Sequence, residues 1–126
     1  MPVRSLSSSV LAWPTLREVD RAARDWAGRQ STVRRGALAI GYFGSYARRD
    51  HGPGSDLDLV AIVSASDRPF VEPAAAWDLQ GLPVPADLII STANEWTRLQ
   101  PEGGRFARVL AEETVWVLGS PPHGPR

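Results

Sequence analysis

Apolar and polar positions recur along this chain with two different periods, and the switches between those periods lay out its elements. Leu16, Val19, Ala23 and Trp26 repeat at helical spacing, while Arg17, Asp20, Arg21, Arg24 and Asp25 fill the opposite face. Pro14 and the capping-box pattern Thr15-Leu16-Arg17-Glu18 mark the start of this amphipathic helix, and Gly28 marks its expected end. Residues 36–43 are an apolar run too short for a helix and bounded by glycine, which predicts a buried strand. Residues 46–50 have room for a helical turn or two. His51-Gly52-Pro53-Gly54 must be a loop, because a proline between two glycines supports neither helix nor ladder. A second strand follows over 56–63, with Asp56, Asp58 and Val60 on one face and Leu57, Leu59 and Ala61 on the other.

The pattern continues with a loop and a short alanine-rich helix over 73–79, then a third strand over 84–90. Val84, Ala86, Leu88 and Ile90 share one of its faces, and Asp87 lies on the other beside Ile89. Pro83 and Pro85 point to an edge position or a bulge at its start. Thr92-Ala93-Asn94-Glu95 is a second capping box, opening a helix through Leu99 that Pro101 and Gly103-Gly104 should break. Residues 105–112 read as a further helix with Phe106, Val109 and Leu110 inward, and 114–118 as a closing strand. The chain thus divides into an irregular start (1–12), one domain (13–118) and a flexible tail (119–126). Helices interleaved with strands give an α/β (α+β) fold built on a small mixed sheet.

Composition narrows the chemistry. A length of 126 residues suits one domain with a sizeable core. The formal net charge is zero, with 14 basic and 14 acidic residues, so no global field draws the protein to a nucleic acid or a membrane surface, and direct nucleic-acid binding is not expected. Every basic residue is arginine. This excludes Schiff-base and P-loop lysines and leaves phosphate recognition to Arg, although compositional bias of the source is the simplest origin of the pattern. Without cysteine there are no disulfides, zinc thiolates or thiol nucleophiles. No run approaches the ~18 apolar residues of a membrane span, and the opening MPVRSLSSSVLAW lacks the apolar core of a signal peptide. A soluble, cytoplasmic protein is expected.

The chemistry-bearing stretch is 38–63, LAIGYFGSYARRDHGPGSDLDLVAIV. Asp56 and Asp58, two apart on a strand, can converge on divalent cations along one face. Asp87 is the natural third ligand if its strand lies alongside. Oxygen-only ligands favour Mg²⁺ or Mn²⁺ over zinc. Gly44 at a strand end lets the backbone approach a phosphate, the amides that follow and the Ser45 hydroxyl can donate to it, and Arg48 and Arg49 can add charge. Singly, a D-x-D pair is most simply two solvated acids and a Gly-Ser pair simply a turn. Together they describe a site for a nucleoside triphosphate and metal ions, because carboxylates set among Leu, Val and Ile are costly to bury without a partner. His51, on a loop, is most simply solvated. Trp26 and Trp116 suit the core; Trp13, Trp77 and Trp96 suit either the core or a stacking surface.

The segment GSYARRDHGPGSDLDL resembles the G-S-x10-D-x-D signature of the minimal nucleotidyltransferases of the polymerase-β-like superfamily. The similarity extends to the helix before the first strand, Ser55 ahead of the acidic pair, the Asp87 strand and the closing helix and strand. It implies transfer of a nucleoside monophosphate from a triphosphate. Gly44 and Ser45 would hold the β and γ phosphates, with Arg48, Arg49 and Ser55 around them. Asp56 and Asp58 would bind both metals, and Asp87 would bind the catalytic metal and favour deprotonation of the attacking hydroxyl. Arg49, where glycine is frequent, and Pro53-Gly54 depart from the pattern and affect the loop more than the metal ligands.

The length leaves no room for the extra domain that binds the acceptor in larger members, so the acceptor surface is expected on another protein or a second copy. Chains of this size resemble antitoxins paired with HEPN-domain toxins, in which AMP from ATP is added to a toxin tyrosine. Transfer to a small molecule such as an aminoglycoside, and a non-catalytic toxin-binding module, are the alternatives.

Overall fold

The structure, a computed structural model, describes residues 13–33, 36–64, 77–102 and 104–121. Helix α1 (Leu16–Val33) leads into β1 (Ala37–Phe43), a single turn of helix α2 (Ser45–Arg48) and β2 (Leu57–Val63). A 3-10 turn (Leu79–Gly81), β3 (Ala86–Thr92), α3 (Ala93–Glu102), α4 (Gly104–Glu113) and β4 (Val115–Gly119) complete the order. The four strands form one mixed sheet in the order β3-β2-β1-β4. β1 runs antiparallel to both β2 and β4, and β3 runs parallel to β2. The mixed α/β fold is the one the pattern implies. Among the described residues, no helix is long and apolar enough to cross a membrane.

The period-2 alternation divides the core between the two faces of the sheet. On one face Ile40, Tyr42, Leu57, Leu59, Ala61 and Val63 pack against Val19, Ala23, Trp26 and Ala27 of α1. On the other, Ala39, Val60 and Ile62 pack against Trp96 of α3 and Leu110 of α4. Fully burying the Val, Leu and Ile side chains among these contributes about 1.5–3 kcal/mol each. β4 closes over β1 at Gly41, where a methyl group would lie 2.8 Å from the Val115 carbonyl oxygen and 2.9 Å from the Trp116 ring. Only glycine permits that approach.

Both capping boxes form. The Thr15 N–H donates to Glu18 and the Glu18 N–H to the Thr15 hydroxyl, at 2.8 and 3.2 Å. Thr92 and Glu95 exchange the same pair of bonds at 2.9 and 3.1 Å. Several boundaries differ from those expected. α1 runs five residues beyond Gly28, because Ala27 and Gln30 remain on its buried face while the Ser31 and Thr32 hydroxyls donate back to the Gly28 carbonyl. β3 begins at Ala86 rather than 84, with Pro85 ahead of it, and it is an edge strand. α3 continues to Glu102, with Pro101 in its last turn.

Phe106, expected inside, is 48 % exposed and meets Phe43 edge-on; Ala107 and Leu110 take the inward positions of α4. Trp26, Trp77 and Trp96 are buried. The expected helix over 73–79 falls mostly outside the described residues, as do the irregular start and residues 122–126 of the tail.

Candidate active site

The three expected acids and the Gly-Ser turn lie where β1, β2 and β3 run side by side. Asp58 is in register with Phe43 of β1 on one side and with Asp87 of β3 on the other. Neighbouring strands are about 4.8 Å apart and residues in register share a face, so the two carboxylates rise together from the face that carries Val60 and Ile62. Asp56, one residue ahead of β2, has the same parity and is exposed, as is Asp87. The charges are felt between them. Burial raises the Asp58 carboxyl above the ordinary value, Asp87 and then Asp56 raise it further, and Arg48 partly opposes them.

The Gly-Ser turn abuts these acids. Gly44 caps α2 with a φ of 79°, and a side chain there would run into the Asp58 carboxylate. Glycine is therefore required twice, for the left-handed backbone and for the space. Ser45 is the first residue of α2. Among the described residues no three acid, histidine or cysteine side chains are drawn together as a finished metal centre. The donors nevertheless fit a hard divalent cation: they are carboxylate oxygens on one face, with a mutual repulsion that such a cation relieves.

The two arginines after the turn part company. Arg48 stays on the acid side, where its Nε donates to Asp50 at 3.2 Å and its Nη1 to Glu113 at 3.2 Å. Arg49 adopts a left-handed conformation, φ 67°, and lines a cavity on the α1 side beside Tyr42. Ser55 serves the loop itself. Its hydroxyl accepts from the Gly52 N–H at 2.9 Å, its N–H donates to the Gly52 carbonyl, and its own carbonyl accepts from the Tyr46 hydroxyl at 3.1 Å. His51 is half-buried rather than solvated, stacked on Tyr46 with ring centroids 4.2 Å apart, and its Nδ1 has no hydrogen-bond partner among the described residues.

Sequence reasoning missed Glu113. This last residue of α4 accepts the Gly44 N–H at 2.9 Å as well as the Arg48 guanidinium, so it already holds donors that a phosphate at the turn would seek. A signal was available. An acid at a helix C-terminus opposes the macrodipole, and α4 carries Glu112 and Glu113 there with no basic residue in its last turn.

Known proteins share this fold. The chain overlays a crystal structure described as a candidate nucleotidyltransferase from Sulfolobus solfataricus with a TM-score of 0.54, at 18% identity over 80% of each chain. It overlays a toxin–antitoxin structure with AMP-PNP with a TM-score of 0.50, at 15% identity over 77% of this chain and 73% of that one. At such identities the likeness is one of fold. A comparison with curated protein sequences finds no match. The family model of the nucleotidyltransferase domain matches residues 33–117, from the end of α1 into β4 and across all the elements that carry the acids and the Gly-Ser turn. With two thirds of its length inside that match, the chain belongs to the nucleotidyltransferase domain family.

Proposed function

We propose that the chain transfers AMP from ATP to a hydroxyl acceptor, a tyrosine of a HEPN-type toxin, and so acts as an antitoxin in the cytoplasm. The observation that carries this reading is the parallel register of Asp58 with Asp87, with Gly44 against the Asp58 carboxylate. It sets the Gly-Ser turn beside carboxylates on one open face. In this reading the Ser45 hydroxyl and the amides opening α2 hold the β and γ phosphates. Asp56, Asp58 and Asp87 would hold Mg²⁺ or Mn²⁺, and such ions, when bound, neutralise phosphate charge and ease loss of the acceptor's proton. The acceptor oxygen bonds to the α-phosphorus, the bond from that phosphorus to the bridging oxygen breaks, and pyrophosphate leaves with the electron pair. A toxin as partner is supported by the toxin–antitoxin structure among the similar folds.

The test is incubation with ATP labelled at the α-phosphate, Mg²⁺ and the HEPN protein encoded beside this chain. Label should appear on a tyrosine of the partner and be lost, by at least about a hundredfold, in Asp58→Asn. Absence of label with the wild-type chain overturns the reading. Label on an aminoglycoside without the partner would assign a small-molecule acceptor instead. Full toxin neutralisation by an Asp56→Asn, Asp58→Asn double variant would show that binding alone suffices.

A further inference from the structure

A cavity of about 490 Å³ lies between the start of α1, β1 and the turn after α2, walled by Arg17, Asp20, Arg24, Tyr42, Tyr46 and Arg49 among others. It is on the sheet face opposite the acids, because Tyr42 packs toward α1 whereas its neighbour Phe43 is in register with Asp58. Its single carboxylate is committed. Asp20 accepts the Tyr42 hydroxyl at 2.8 Å and the Arg24 Nε at 2.8 Å. The Arg17 and Arg49 guanidinium groups form no ion pair or hydrogen bond among the described residues, so three guanidinium groups surround one acid, with Arg17 and Arg49 exposed at the rim.

The backbone of Arg49 adds an independent observation. It is the only described non-glycine residue with positive φ, in a left-handed conformation that glycine adopts freely and an arginine does not. That backbone carries the Arg49 side chain to the cavity rather than to the acids. Two guanidinium forks with free donors suit a dianionic phosphate. The volume lies within the range of small-molecule pockets and far exceeds a bare phosphate, so an organic body has room beside it.

We propose that this cavity binds a small phosphate monoester, at a site separate from the Gly-Ser turn and independent of nucleotidyl transfer. The test is calorimetric titration of the metal-free protein with phenyl phosphate and, separately, with inorganic phosphate. Phenyl phosphate should bind saturably and at least about fivefold more tightly than inorganic phosphate, since only the ester fills the cavity. Arg49→Gly should weaken it about tenfold while leaving the melting temperature unchanged or higher, because the strain is relieved. Ser45→Ala should leave the affinity unchanged. Failure of phenyl phosphate to bind, equal affinity for the two anions, undiminished binding by Arg49→Gly, or loss on Ser45→Ala would each overturn the proposal.

Discussion

Asp58 shows what a site of this kind demands of a single side chain. It is set between strands, partly buried, against a glycine that leaves it just enough space, with two further carboxylates on its face. Its carboxyl is raised above the ordinary value of 3.8 by burial and then by its acidic neighbours, so the folded state holds the proton more tightly than the unfolded one. Stability from this group is therefore full below 3.8 and is lost as the pH rises through the folded-state value. Asp58→Asn removes that loss. Without divalent ions, the variant should melt roughly 2–5 °C above the wild type at pH 7. The gain should vanish on acidification below the ordinary carboxylate range. Thermal unfolding across pH measures both, and a variant no more stable at pH 7 would mean that the crowding of acids costs the fold nothing.

At the scale of elements, sequence pattern and structure agree where periodicity and capping speak together. The faces of β2 and β3, both capping boxes and the inward stripe of α1 follow directly from residue spacing. Boundaries follow less well, because Gly28 is a local preference that packing can override. A glycine within a helix costs roughly 0.5–1 kcal/mol relative to alanine, less than burying the residues around Gly28 contributes. Its position has open space where a side chain would go. Gly28→Ala should therefore stabilise the protein by about 0.5–1 kcal/mol, read as a higher denaturation midpoint with an unchanged slope. No gain would mean that the backbone of α1 is not helical through residue 28. Phe106 was illegible for another reason. Helical spacing puts it near the apolar stripe of α4, but its orientation depends on Phe43, which belongs to an element far away in the chain.

The whole molecule decides what no window of sequence contains. Asp58 and Asp87 become neighbours only because β3 runs parallel to β2, and the Gly44 amide meets Glu113 only because β4 brings the end of α4 to the end of β1. The D-x-D and Gly-Ser pairs were legible because their chemistry sits within a short stretch; Glu113 was not, because its partner is 69 positions away. Glu113→Gln keeps an oxygen for the Gly44 N–H and removes the charge that a triphosphate would meet in the proposed reaction. The variant should bind ATP about three- to tenfold more tightly in calorimetry, with a melting temperature within a few degrees of the wild type. Weaker ATP binding would instead make the carboxylate a partner of the nucleotide.

That single bond also carries a consequence for the nascent chain. On the ribosome β1, the Gly-Ser turn and β2 emerge first and can pair as a hairpin, yet α4 and β4 are synthesised some fifty residues later, a delay of several seconds at about 5–20 residues per second. Until then β1 has an unpaired edge and the Gly44 N–H lacks its carboxylate acceptor. A chain cut short before α4 therefore lacks the residue that holds the Gly44 N–H in the folded structure.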